Sequence, residues 1–161
     1  DSRSTSGLGA KRERTTLGPT WWQRTAIACH SQTTSQISMI LADTSVWIDH
    51  LRHGDPELAA ALQQSQIMVH PFVLGELACG NLKARTQLLY LLESLPAATM
   101  ASDQEVLALI EKHALMGRGI GYIDAHLCAS ARLSSAQLWT RDKRLHVVAF
   151  ELGWAHQEAT H

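Results

Sequence analysis

Cysteine is scarce, and what there is does not pair. Cys29, Cys79 and Cys128 are odd in number and contain no C-x-x-C pair. A disulfide framework is therefore not expected, and a reducing, cytoplasmic setting suits the chain best. Cys79 and Cys128 fall on apolar stripes, where buried structural thiols are expected. No hydrophobic run approaches the ~18 residues of a membrane span, so no membrane partner is expected. The nine histidines form neither H-E-x-x-H nor a Cys/His cluster with zinc spacing. His126 stands two residues from Asp124, where the flank of a helix is its ordinary place. There is no internal repeat, and Gly117, Gly119 and Gly121 are spaced G-x-G-x-G after a helix, not as a dinucleotide fingerprint after a strand.

Net basic charge is missing too. The whole chain carries −1. Residues 1–38 hold five Lys/Arg against two Asp/Glu, or +3, which leaves −4 for the remainder. An acidic domain does not bind nucleic acid by its overall field, so any such contact needs a local basic rim or a metal ion. Residues 1–38 are also rich in Ser, Thr, Arg and Gly and lack lasting periodicity. They are expected to be a disordered leader of upstream or vector origin. Their apolar patch, Thr25 to Cys29, is too short for a signal-peptide core, and the paired Trp21 and Trp22 are its one unusual feature. With 161 residues, 45% of them hydrophobic, the chain has length for one domain with a substantial core, placed at 39–161.

Periodicity from Met39 onward predicts strands alternating with helices. MILAD (39–43) reads as a buried strand, followed by a helix to about Arg52 capped by Thr44 or Ser45. Asp55-Pro56 opens a second helix. Ile67 to His70 is a strand, and Pro71 begins a helix ending at Gly80. Residues 85–95 form a Leu-rich helix, either core or a dimer face, and Ala97 to Met100 a weak third strand. Ser102-Asp103-Gln104-Glu105 is a capping box for a helix that stops at Gly117. A further helix runs from Tyr122 to Leu133, then come a strand at 137–140, a helix at 143–152 and an edge strand at 154–156. This order predicts an α/β fold, a three-layer α/β/α sandwich around a short parallel sheet.

Four acids stand out against that frame. Asp43 closes the first strand and Asp142 follows the last main one, so both face the carboxyl rim of the sheet, where open α/β folds bind ligands. Glu76 and Asp124 fall on the apolar stripes of their helices. A desolvated, unpaired carboxylate costs several kcal/mol, and Lys and Arg are not placed to neutralise all four. Each acid has an ordinary reading: a strand end, a helix start, or, for Asp124, an anion favoured in the first turn of a helix. Four on one rim point instead to a divalent cation. Mg²⁺ or Mn²⁺ suits oxygen ligands, and such an ion activates water and neutralises charge on a phosphodiester. Thr140 adds a hydroxyl able to orient a water or to bond a strand end. Arg118, Arg141, Lys143 and Arg144 form a basic fringe that can grip phosphates or simply face solvent.

The segments LADTSVWIDHLR (41–52), GEL (75–77), GRGIGYIDAHLCASA (117–131) and LWTRDKRL (138–145) resemble, in order and spacing, the PIN domain of VapC-type toxins of type II toxin–antitoxin systems. The resemblance covers 39–161. It implies a metal-dependent endoribonuclease acting on RNA, usually a homodimer, inhibited by a cognate antitoxin. It implies that Asp43, Glu76, Asp124 and Asp142 bind Mg²⁺ or Mn²⁺ and act in catalysis, with Thr140 as the accompanying hydroxyl. Two other readings stay open: a phosphatase with Asp43 as covalent nucleophile, although Ser45 stands where that chemistry wants a second acid, and a non-catalytic module whose acidic pocket receives a basic peptide.

Overall fold

The computed structural model describes residues 38–158. Trp21, Trp22 and Cys29, and the expected leader up to residue 37, lie outside them.

The centre is a three-stranded sheet of β1 (Ile40–Ala42), β2 (Ile67–Met68) and β3 (Gln137–Trp139), in the order β2-β1-β3. Both pairings are parallel, with Ile40 opposite Ile67 and Gln137, and Ala42 opposite Trp139. Every residue of β1 is buried, as a central strand covered on both faces must be. Around the sheet run α1 (Thr44–His53), α2 (Pro56–Gln63), α3 (Pro71–Cys79), α4 (Arg85–Glu93), α5 (Asp103–Lys112), α6 (Tyr122–Leu133) and α7 (Lys143–Glu151). The expected α/β sandwich is the fold observed. Its core joins Leu41, Val46, Leu127, Cys128, Leu138, Trp139, Leu145 and Val148.

The helix starts follow from local chemistry. Asp55 accepts from the amides of Glu57 and Leu58 ahead of Pro56. Ser102 and Glu105 form the capping box read from sequence. His70 caps α3 by accepting from the Phe72 amide, and its Nε2 lies 3.0 Å from the Ser130 hydroxyl. Because Nδ1 is the acceptor, Nε2 carries the proton and donates. Burial, with His126 nearby, lowers His70 to about 4, which keeps it neutral in that role.

Several sequence expectations shift. Asp43, not Thr44 or Ser45, caps α1, its side chain accepting from the Thr44 amide. Ala97–Met100 supplies only a bridge from Val69 to Ala97, and 154–156 only one from Leu138 to Ala155. α5 ends at Lys112, five residues short of Gly117, because Ala114 turns left-handed (φ 48°) and Leu115 folds back into the core. Cys79 is exposed, while Cys128 is buried as expected. No helix among the described residues is long and apolar enough to cross a membrane.

Candidate active site

Parallel strands send their carboxyl ends to one edge, and the chain leaves β1 and β3 there through polar residues. Asp43 directly follows β1, and its amide continues the ladder to the Trp139 carbonyl at 2.8 Å. Thr140 directly follows β3 and is buried, like Asp43. The Thr140 hydroxyl donates to Oδ2 of Asp43 (2.9 Å) and accepts from the Asp142 amide (3.0 Å). Ser45 also donates to Oδ2 of Asp43 (2.6 Å), and its oxygen accepts from the Arg141 amide (3.0 Å). Each hydroxyl has one proton and gives it to Asp43, so the 3.4 Å approach of Ser45 to Thr140 is contact, not a further hydrogen bond.

The other acids arrive from separate elements. Glu76, on α3, accepts a hydrogen bond from the Thr44 hydroxyl at the start of α1. Asp124 sits in the first turn of α6 and accepts from the Gly121 amide at 2.7 Å. Asp142 caps α7 through the amides of Arg144 (2.8 Å) and Leu145 (2.9 Å). Three of the four acids therefore stand at helix amino ends, whose dipoles favour negative charge. The four also feel one another. Burial pushes the Asp124 carboxyl above its ordinary value; the Gly121 amide opposes this, and the charges of Asp43, Asp142 and Glu76 push it further up.

The burial expected from sequence holds only in part. Asp43 is buried and Asp124 half-buried, but Glu76 and Asp142 are exposed. The buried stripe of α3 is Val73 and Leu77, and Glu76 stands beside it, open to water. Among the described residues, no three His, Cys, Asp or Glu side chains form a ready cage for a metal. An all-oxygen, all-anionic donor set with open space around it fits a hard divalent ion that keeps several waters, and does not fit zinc.

The basic fringe divides. Arg141 is committed to protein carboxylates: its guanidinium meets Asp55 at 2.6 Å, Glu158 at 2.5 Å and Asp49 at 3.6 Å, and lies 5.7 Å from the Trp139 ring. Burial pushes Glu158 up, but hydrogen bonds from Arg141 and Trp139 outweigh it and hold the carboxyl below its ordinary value. Arg118 pairs with Glu151 at 2.6 Å. Arg144 lies against Gly119, whose φ of +75° strains any other residue and where a Cβ would stand 3.0 Å from Arg144 Cδ. Lys143 is exposed at the start of α7 and has no ion pair among the described residues. His126 is buried, its ring 4.9 Å from that of Phe72 and 4.8 Å from that of Tyr122, so it is a core residue and not a flank of its helix. Sequence reading missed the hub role of Ser45; its position two residues after Asp43 was the available signal.

This arrangement can be compared with known proteins. The family model of the PIN domain matches residues 40–151. The chain belongs to the PIN-domain family. Among curated relatives, Ribonuclease VapC32 of Mycobacterium tuberculosis, from strains CDC 1551 / Oshkosh and ATCC 25618 / H37Rv, is 46% identical over 121 residues, spanning 74% of this chain and 98% of the relative. The resemblance carried by the four motifs is thereby borne out, and this PIN domain is of the VapC type. Among solved structures, PAE2754 from Pyrobaculum aerophilum is similar with a TM-score of 0.51 at 18% identity, over 70% of this chain and 80% of that one. A toxin–antitoxin complex from Klebsiella pneumoniae gives 0.50 at 24% identity, over 64% of this chain and 86% of that one. At those identities the likeness is one of fold.

Proposed function

We propose that this PIN domain is a toxin: a divalent-metal-dependent endoribonuclease in which Asp43, Glu76, Asp124 and Asp142 hold Mg²⁺ or Mn²⁺. The observation that carries the reading is the convergence at Asp124, whose carboxyl is raised first by burial and further by the charges of acids 81, 18 and 48 positions away in sequence. Such like-charge crowding disfavours the empty, fully ionised site and is relieved by a cation. The VapC32 relative adds the substrate class, RNA.

When bound, the ion supplies Lewis-acid polarisation and charge neutralisation at a scissile phosphodiester. The chain's residues do the rest. Asp43 is fixed by three donors and presents its remaining lone pair to the rim. Asp124, held through Oδ2 by the Gly121 amide, keeps Oδ1 without a donor and is the acid we assign to accept a proton from an attacking water. Thr140, its proton given to Asp43, positions that carboxylate. Lys143 supplies a phosphate contact at the edge, while Arg118 and Arg141 brace the loops that carry Asp124 and Thr140.

An antitoxin partner fits the open groove of about 610 Å³ lined by Ile48, Leu51, Arg52, Leu82 and Lys83, which offers apolar walls and a cationic rim. Exposed Tyr90 and Leu91 on α4 supply an apolar face for a homodimer. The test is brief induction followed by sequencing of RNA ends, beside cleavage of labelled RNA in vitro. Metal-dependent cuts lost in Asp43→Asn support the reading; cleavage unchanged by a chelator and by that variant overturns it.

A further inference from the structure

A carboxylate offers about four lone-pair sites. Three of those on Asp43 are taken by the protein: Oδ1 accepts from the Thr44 amide at 2.7 Å, and Oδ2 accepts from both the Ser45 and Thr140 hydroxyls. Both oxygens are engaged, so Asp43 cannot close symmetrically around an ion without breaking one of these bonds. The rest of the rim is engaged through one oxygen only. Glu76 gives Oε2 to the Thr44 hydroxyl, Asp124 gives Oδ2 to the Gly121 amide, and Asp142 gives Oδ1 to two amides of α7. Each of these acids keeps one oxygen without such a donor.

Ser45, like Thr140, ties two strand ends together, but it does so from the first turn of α1. Its proton goes to Asp43 beyond β1, and its oxygen receives the Arg141 amide beyond β3. Amide donors belong to the helix starts and are present in any sequence that forms them. The Ser45 hydroxyl is a side-chain choice.

We propose that Ser45 is a positioning residue that makes Asp43 a one-oxygen ligand, and that it thereby biases the site toward small six-coordinate ions and against Ca²⁺. Mg²⁺ demands near-octahedral geometry and keeps its waters, needing only one oxygen from each of a few carboxylates. Ca²⁺ takes six to eight oxygens at longer range and gains from bidentate carboxylates. An Asp43 whose Oδ2 already takes two hydroxyl protons withholds that gain. The inference rests on the reading that these four acids hold a divalent ion.

The test measures metal binding by the full chain without RNA: free Mn²⁺ followed by electron paramagnetic resonance, then Ca²⁺ competition against bound Mn²⁺. Groups that orient a ligand carboxylate typically contribute about 10- to 100-fold in metal affinity. Ser45→Ala is expected to weaken Mn²⁺ by about tenfold and to weaken Ca²⁺ by less, so that the Ca²⁺:Mn²⁺ selectivity narrows. Ser45→Thr, which restores a hydroxyl, is expected to stay near the unsubstituted chain. Should Ser45→Ala not fold, Ser45→Cys, with a weak donor of similar size, gives the same comparison. Unchanged Mn²⁺ affinity and unchanged selectivity in the variant without the hydroxyl overturn the role of Ser45. Asp43→Asn separates the two levels: if it binds Mn²⁺ as tightly as the unsubstituted chain, or if that chain binds none, the four-acid reading itself fails and the proposal with it.

Discussion

The Thr140 hydroxyl donates to Oδ2 of Asp43 at 2.9 Å although the two residues stand 97 positions apart. The bond joins the ends of β1 and β3, and through the Asp142 amide it also sets where α7 begins. Thr140→Ala removes one donor from a buried carboxylate and one acceptor from an amide. A loss of about 1–3 kcal/mol in stability is expected, together with reduced cleavage. Thr140→Ser keeps the hydroxyl and is expected to recover most of both. Chemical denaturation and cleavage of labelled RNA, run side by side, check this; equal losses in the two variants would contradict it.

Asp124→Asn is expected to separate stability from activity. The folded-state pKa of Asp124 is raised, so the folded chain is penalised, relative to the unfolded chain, once pH exceeds the unfolded value. The penalty is complete above the folded value and fades as pH falls through the acid range. In the metal-free chain the Asn variant should therefore melt slightly higher at neutral pH, and the difference should vanish in acid. Cleavage should fall by about 10²-fold or more. A melting-temperature series against pH decides the first part.

Divalent metal is expected to stabilise the chain by relieving the same repulsion. At 100 times its dissociation constant a ligand adds about 2.7 kcal/mol, a rise on the order of 10 °C for a domain of this size. A chelator should reverse it, and Asp43→Asn should abolish it. Calorimetry with and without Mn²⁺ provides the measurement.

Arg141 and Lys143 are expected to fail in different ways. Arg141→Ala leaves buried Asp55 without its 2.6 Å partner, and a destabilisation of about 1–3 kcal/mol should follow. Lys143→Ala touches no such pairing; its stability should hold while KM for RNA rises roughly two- to fivefold and becomes less salt-sensitive. A rise in KM for Arg141→Ala at unchanged stability would reverse these assignments.

Much of this molecule is written locally. Apolar runs bounded by Asp-Pro, His-Pro and Ser-x-x-Glu fix where helices begin, because caps and proline act within one turn. The succession of strands and helices along the chain and the rim positions of Asp43 and Asp142 followed from alternation and the parallel-sheet rule. The family was legible separately, from the resemblance of four spaced motifs that survive without any knowledge of contacts.

Other features depended on which surfaces met. The short stretch 97–100 reads as a strand by composition, yet it meets only Val69, since a strand needs a partner along its length. Glu76 and Cys79 sit on one apolar-looking helix, but packing covers Val73 and Leu77 and leaves both of them in water. Arg141, one of several basic residues near Asp142 in sequence, is drawn to Asp55 and Glu158 from distant segments. Sequence determined which residues carry charge and where each helix starts, because those are properties of a few adjacent bonds. Only the tertiary structure decided which oxygens of the four acids are already engaged, because hydrogen-bond partners from opposite ends of the chain are chosen by the packing of the sheet.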